Sequence, residues 1–204
     1  MKLFCLLLFS VFLFANCKEG SDESKVGRTE TETVVVIDSI EVDKNELVLN
    51  QLEGKWYLND LPFNGYAVKY YTDGTLEERL GFYKGKREGI AKRWSKNGVL
   101  RVESYYKQNR LVGTYKSWWE NGELGSEANY IDGKMNGTVK EWYPSGQLSK
   151  ERQLVAGKEV GMQKAWLKNG TLYVNYEARN GRIFGMKRAN SCYQLEDEVV
   201  VRSK

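Results

Sequence analysis

The sequence predicts an all-β fold, an elongated single antiparallel β-meander of stacked β-hairpins that repeat every 24 residues. Three observations carry that prediction. Gly65, Gly89, Gly113, Gly137, Gly161 and Gly185 stand 24 residues apart, and Gly74, Gly98, Gly122, Gly146 and Gly170 follow them by nine. Each glycine of the second series is preceded by Asp73, Asn97, Asn121, Ser145 or Asn169, pairs that favour β-turns. An aromatic column of Tyr70, Trp94, Trp118, Trp142 and Trp166 keeps the same step, and no stretch shows an apolar 3.6-residue period of helical length.

Taken from the start, Lys2 and the apolar run 3–14, broken by Ser10, form the charged head and short hydrophobic middle of a secretory signal. A membrane-spanning helix needs about 20 apolar residues, so this run is too short to span. Phe14, Ala15, Asn16 and Cys17 resemble the lipobox of bacterial lipoproteins, which implies a signal peptide at 1–16 and a lipid on Cys17. Phe14 and Asn16 fit its relaxed forms, and a plain signal peptide with an incidental cysteine is the other reading. By the same resemblance, Lys18 in place of aspartate points to the outer membrane. Residues 17–33 hold few apolar side chains and no aromatic, too little to order a segment, and read as a tether. If Cys5 leaves with the signal and Cys17 carries lipid, Cys192 is the one remaining thiol and reads first as a small buried residue.

Residues 34–64 read as capping strands (34–42, 47–52 and 55–63) that begin the sheet, with degenerate repeat character near Trp56. Five repeats follow over 65–188, and a terminal strand at 194–202 closes a C-terminal cap spanning 189–204. Within a repeat, Pro144 decides the first turn. A two-residue loop of Ser145 and Gly146 would need the amide of residue 144 in the ladder, and proline has none. A three-residue loop puts proline at the first central position of a type I turn and Gly146 at a left-handed bulge. Trp142 then faces Leu148, which predicts a core stripe of Trp94, Trp118, Trp142 and Trp166 with Leu100, Leu124, Leu148 and Leu172. The rival register would pair Lys92 with Glu103, Lys116 with Glu127 and Lys140 with Glu151. Such exposed pairs contribute about 0.2–1 kcal/mol. Burial of a large aromatic contributes roughly 1.5–3 kcal/mol, so burial is expected to choose. A second turn closes each unit at Gly85, Asn109, Gly133, Gly157 and Gly181.

Gly137, Trp142, Tyr143, Pro144, Gly146, Leu148, Glu151, Gly157 and Lys158 resemble the variant MORN repeat of bacteria, and the other copies follow most of that pattern. The resemblance covers about 63–188. It implies a run of β-hairpins used for scaffolding or protein contact, with no active site. Proteins of this kind are often described as YwqK-family antitoxins, a role that fits poorly with an export signal.

The functional expectation is therefore a binding or scaffolding lipoprotein of the envelope, whose partner is another envelope protein or a membrane surface. Two sets of side chains are candidates. Tyr71, Trp119 and Tyr143, the second aromatics of their pairs, fall by alternation on the face opposite the tryptophans, where they either anchor a partner or lie under a covering layer. The row Lys92, Lys116, Lys140, Lys164 and Arg188 could meet lipid head groups or anionic polysaccharide, or be a solvated edge paired to glutamates. Nucleic acid is not expected, because 31 basic and 27 acidic residues are interleaved for a net charge of only +4. The chain contains no histidine, the usual general base and metal ligand, and no metal or cofactor motif is evident. A hydrolase using two carboxylates is the remote alternative, with no pair marked in the sequence.

Overall fold

The computed structural model describes residues 35–186 of the chain. The expected signal segment 1–16, Cys17, the tether 17–33, Arg188, Cys192 and the strand 194–202 lie outside the described residues. Strand β1 (Glu41–Asp43) precedes a short 3-10 turn, and β2 (Val48–Asn50), β3 (Lys55–Leu58) and β4 (Leu61–Pro62) follow it. The hairpins then run in order. They are β5 (Gly65–Tyr70) with β6 (Leu76–Tyr83), β7 (Lys86–Trp94) with β8 (Leu100–Lys107), and β9 (Arg110–Trp118) with β10 (Leu124–Ile131). After β11 (Lys134–Met135) come β12 (Gly137–Trp142) with β13 (Leu148–Val155), β14 (Lys158–Trp166) with β15 (Leu172–Arg179), and last β16 (Arg182–Met186). Consecutive strands from β5 to β16 pair antiparallel in one 13-stranded sheet, with β11 beside β10.

The segment before the repeats departs from expectation. Of the three stretches expected to begin the sheet, only Glu41–Asp43 joins it, and it pairs parallel to β5. Asp43 caps the 3-10 turn by accepting from the Asn45 amide at 2.8 Å, which ends β1 after three residues. β2, β3 and β4 form a separate three-stranded sheet, reversed at Asn59 and Asp60 through left-handed backbone angles of 49° and 64°.

The loop chemistry of the repeats is as expected. In each hairpin the glycine amide bonds the carbonyl three residues back, as Gly146 does to Tyr143 at 2.9 Å, and Tyr143 bonds the Gln147 carbonyl at 2.8 Å. Gly146 has φ of 80°, so Pro144, Ser145 and Gly146 are the three loop residues and Trp142 pairs with Leu148. The two registers treated as rivals coexist. Trp94 pairs with Leu100, yet one step on Arg93 pairs with Val102 and Lys92 with Glu103. A second bulge at Arg101 absorbs the extra residue, and the same shift recurs at Glu77, Gly125, Ser149 and Tyr173. The bulge makes the choice between apolar and ionic pairing unnecessary.

The buried core lies on the other face from the one expected. The stripe residues Trp94, Trp118, Trp142, Trp166, Leu100, Leu124 and Leu148 are only half-buried, and Leu172 is exposed. Both buried clusters fall on the opposite side by strand alternation. One joins Leu47 and Phe63 to Ala67, Leu80, Phe82 and Ala91, and the other joins Ala128, Val139 and Leu154. Trp56 packs edge-on to Phe82 at 6.1 Å, so the capping segment covers this face where Ala67 and Ala91 leave room for it. Hydrophobic bulk pointed to the tryptophans, whereas burial follows the face on which a second layer sits. The cap is also held by charge. Glu78, 3% exposed, accepts from Lys44 and from Arg93 at 2.6 Å. Burial alone would raise its carboxyl, but those two cations outweigh it and hold the group below the usual carboxylate range.

Neighbouring repeats are stitched at both ends of the hairpins. At one end the amides of Gly85, Asn109, Gly133 and Gly157 bond the carbonyls of Phe63, Arg87, Leu111 and Met135 at 2.7–3.0 Å. At the other end each ladder to the preceding hairpin stops one residue short of a tryptophan, so the tryptophan carbonyl has no strand partner. A side chain from the preceding repeat satisfies it. The Tyr71 hydroxyl reaches Trp94 at 2.9 Å, Arg101 Nε reaches Trp118 at 2.7 Å, Trp119 Nε1 reaches Trp142 at 2.9 Å, and the Tyr143 hydroxyl reaches Trp166 at 2.8 Å. In the repeat where Ser95 stands in the aromatic's place, the bulged Arg101 supplies the donor.

Candidate functional site

The two faces of the sheet carry different chemistry. On the tryptophan face, Lys92, Glu103, Lys116, Glu127, Lys140, Glu151 and Lys164 follow one another across adjacent strands in register. Lys92 contacts Glu103 at 3.0 Å, Lys116 contacts Glu127 at 3.9 Å, and Lys140 contacts Glu151 at 3.8 Å. The four lysines are thus interleaved with three glutamates, a ladder of alternating sign whose field cancels at short range. Of the two readings of these lysines, the pairing geometry matches the edge paired to glutamates: each has a carboxylate as its neighbour across the strand pairing.

Tyr71, Trp119 and Tyr143 do lie opposite the tryptophans, but each uses its polar end as an inter-repeat clamp. Trp119 remains 38% exposed, and the two tyrosines are half-buried. Trp119 and Tyr143 also wall a groove of about 650 Å³ on that face, centred on the third and fourth repeats and edged by Arg101 and Val102 of the second and Tyr173 of the fifth. The size falls within the roughly 300–1,000 Å³ of small-ligand sites.

The groove arises from three local features. The second bulge supplies one lining residue from each of four repeats, Arg101, Gly125, Ser149 and Tyr173. Small residues open the middle: Ser117, Gly125, Ser126 and Ala128 stand where the next repeat carries Glu141, Ser149, Lys150 and Arg152. A Cβ at Gly125 would sit 3.3 Å from Trp119 Nε1, so the glycine leaves space beside the indole. Finally, Tyr115 and Tyr130 meet edge to face at 6.1 Å and form an aromatic floor with Val139.

Polar groups in the groove are fixed in pairs. The hydroxyls of Ser117 and Ser126 are 2.7 Å apart. Glu141 accepts from Lys150 at 2.9 Å and from Arg152 at 3.0 Å, while Arg152 Nε is buried without a hydrogen-bond partner. Arg101 donates to Glu120 at 2.7 Å, outside the lining. Hydrogen bonds from Asn97 and Ser95, then from Arg101, hold the Glu120 carboxyl below its usual range. Burial pushes the Tyr130 phenol up, with Tyr115 and Tyr106 adding to it. Among the described residues no group of three or more His, Cys, Asp and Glu side chains is placed to hold a metal.

Sequence reasoning placed Trp119 and Tyr143 on this face and missed the rest of the groove. The Trp–Leu and Lys–Glu matches, both present in every central repeat, were the signal that could have revealed the second bulge and with it the Arg101, Gly125, Ser149 and Tyr173 column.

The family profile of the MORN repeat variant matches residues 87–108, 111–132 and 135–155. These three consecutive segments coincide with the hairpins β7–β8, β9–β10 and β11–β13, so the repeat unit of that family is the hairpin unit of this sheet. A search of curated proteins gives no match.

Proposed function

We propose that this chain is a binding lipoprotein of the bacterial envelope, tethered through lipid on Cys17, that holds an envelope component in the groove of its third and fourth repeats. The observation that carries the reading is the groove itself: aromatic walls, paired polar groups and ligand-sized volume on the face opposite a self-neutralised charge ladder. Matches to the MORN repeat variant support a repeat-based binding or scaffold role. The sequence before the repeats supports export, and Cys17 is the residue that would take the lipid.

The test separates anchor from groove. The full chain carrying Cys17→Ser is mixed with purified envelope fragments and pelleted, alone and with Ser126→Trp, which fills the groove, or with Lys116, Lys140 and Lys164 all changed to Ala. Retention should be lost with the tryptophan and kept with the triple alanine; the reverse, or equal retention of all three, overturns the groove assignment. Metabolic labelling with a palmitate analogue should mark the unsubstituted chain and not Cys17→Ser, and equal labelling removes Cys17 as the anchor.

A further inference from the structure

We infer that the groove takes a carboxylate-bearing oligosaccharide, an inference that rests on the groove being the binding site. Its lining carries the aromatic rings of Trp119, Tyr143, Tyr115 and Tyr130, which suit the C–H faces of pyranose rings, because an aromatic ring offers a broad apolar surface with a polar edge. Its middle offers the Ser117 and Ser126 hydroxyls 2.7 Å apart, a pair that can exchange its mutual hydrogen bond for bonds to vicinal sugar hydroxyls. Charge completes the match. Three cations, Arg101, Lys150 and Arg152, stand against Glu141 in the lining and Glu120 just outside it, which leaves one positive charge in excess. The Arg152 guanidinium, one-third exposed and holding Glu141 through one nitrogen at 3.0 Å, is the group that would pair with a ligand carboxylate.

An extended peptide fits less well. The groove lies on a sheet face whose backbone amides and carbonyls are committed to ladder bonds, so it offers no row of main-chain partners for an added strand. On the opposite face the lysines are spread along a ladder, and each already has a glutamate across the strand pairing.

The probe is purified peptidoglycan sacculi freed of protein and lipid, an insoluble amino-sugar polymer that bears carboxylates. The full Cys17→Ser chain should pellet with sacculi, and Trp119→Ala should weaken binding by about tenfold, the loss typical of a central aromatic anchor. Arg152→Gln should weaken binding to native sacculi yet make little difference on sacculi whose carboxylates have been amidated. Ser126→Trp, checked for fold by circular dichroism, should abolish pelleting, and a soluble muramidase digest should compete where hexaglutamate does not. Failure to bind sacculi, with groove-dependent retention on whole envelope fragments intact, overturns the oligosaccharide and leaves the binding reading standing. Binding to sacculi that ignores Trp119→Ala and Ser126→Trp overturns the assignment to this groove.

Discussion

The side-chain clamps between repeats make a quantitative prediction. In Tyr71→Phe and Tyr143→Phe the ring stays and one donor leaves, so the carbonyls of Trp94 and Trp166 lose bonds of 2.9 and 2.8 Å. A hydrogen bond of this kind contributes about 0.5–1.5 kcal/mol net. Both tyrosines are half-buried and the acceptors lie at the ends of ladders, so water can replace part of each bond, which places the cost near the lower end, about 0.5–1 kcal/mol each. The clamps fall on β7 and β14, six strands apart, or roughly 29 Å at about 4.8 Å per strand. At that separation the two losses should add, giving about 1–2 kcal/mol for the double variant. For a chain of this size each kcal/mol lowers Tm by roughly 2–4 °C. Urea unfolding followed by far-UV circular dichroism should show the midpoint falling with little change in slope. Ser95→Ala, whose hydroxyl bonds Glu120 and no tryptophan carbonyl, is the control and should stay within about 0.5 kcal/mol of the parent. A double variant as stable as the parent would refute the idea that these phenols join the repeats.

Three other outcomes follow from single sites. Glu78→Gln should cost about 1–3 kcal/mol, less than a fully buried pair would because Lys44 and Arg93 can rehydrate; since its carboxyl is held low in the folded chain, the stability it gives is present above the usual carboxylate range and lost as pH falls through its depressed value, so the parent and the variant should converge in acid unfolding curves. Ala156, at φ of 49° in a two-residue turn, should be stabilised by Asn, which tolerates that conformation, by about 0.5–1 kcal/mol in the same urea assay, and no gain would deny the strain. Burial and the bond to Glu159 raise the Tyr176 phenol to about 12, so the stability it contributes is whole below pH 10, about where an unfolded phenol titrates, and disappears as pH rises through 12; Tyr176→Phe should flatten that alkaline loss in pH-dependent denaturation, and an unchanged profile would assign the loss elsewhere.

The repeat was legible because its turns are dictated by local chemistry. Pro144 has no amide and Gly146 can occupy left-handed backbone, so loop length and the Trp142–Leu148 pairing could be read without any tertiary contact. The second bulge was not legible in the same way, since the loop argument treats apolar and ionic pairings as alternatives, whereas one extra residue at Arg101, Gly125 or Ser149 satisfies both. The buried face was misread because Trp and Leu carry the largest hydrophobic bulk, yet burial depends on what lies above them. Ala67 and Ala91, inconspicuous in a hydropathy pattern, are buried because Leu47, Trp56 and Phe63 rest there. The groove is a non-repeating property of a repeating chain. It exists where Ser117, Gly125, Ser126 and Ala128 depart from their counterparts in the next repeat, and a search for what the copies share passes over such differences.

The most direct test of the account is hydroxyl-radical footprinting of the full chain, free and retained on envelope fragments. Protection should concentrate on Tyr115, Trp119, Tyr130 and Tyr143, with Trp94 and Leu172 on the other face reacting as they do in the free chain. Protection of the tryptophan face with the groove aromatics unchanged would contradict it.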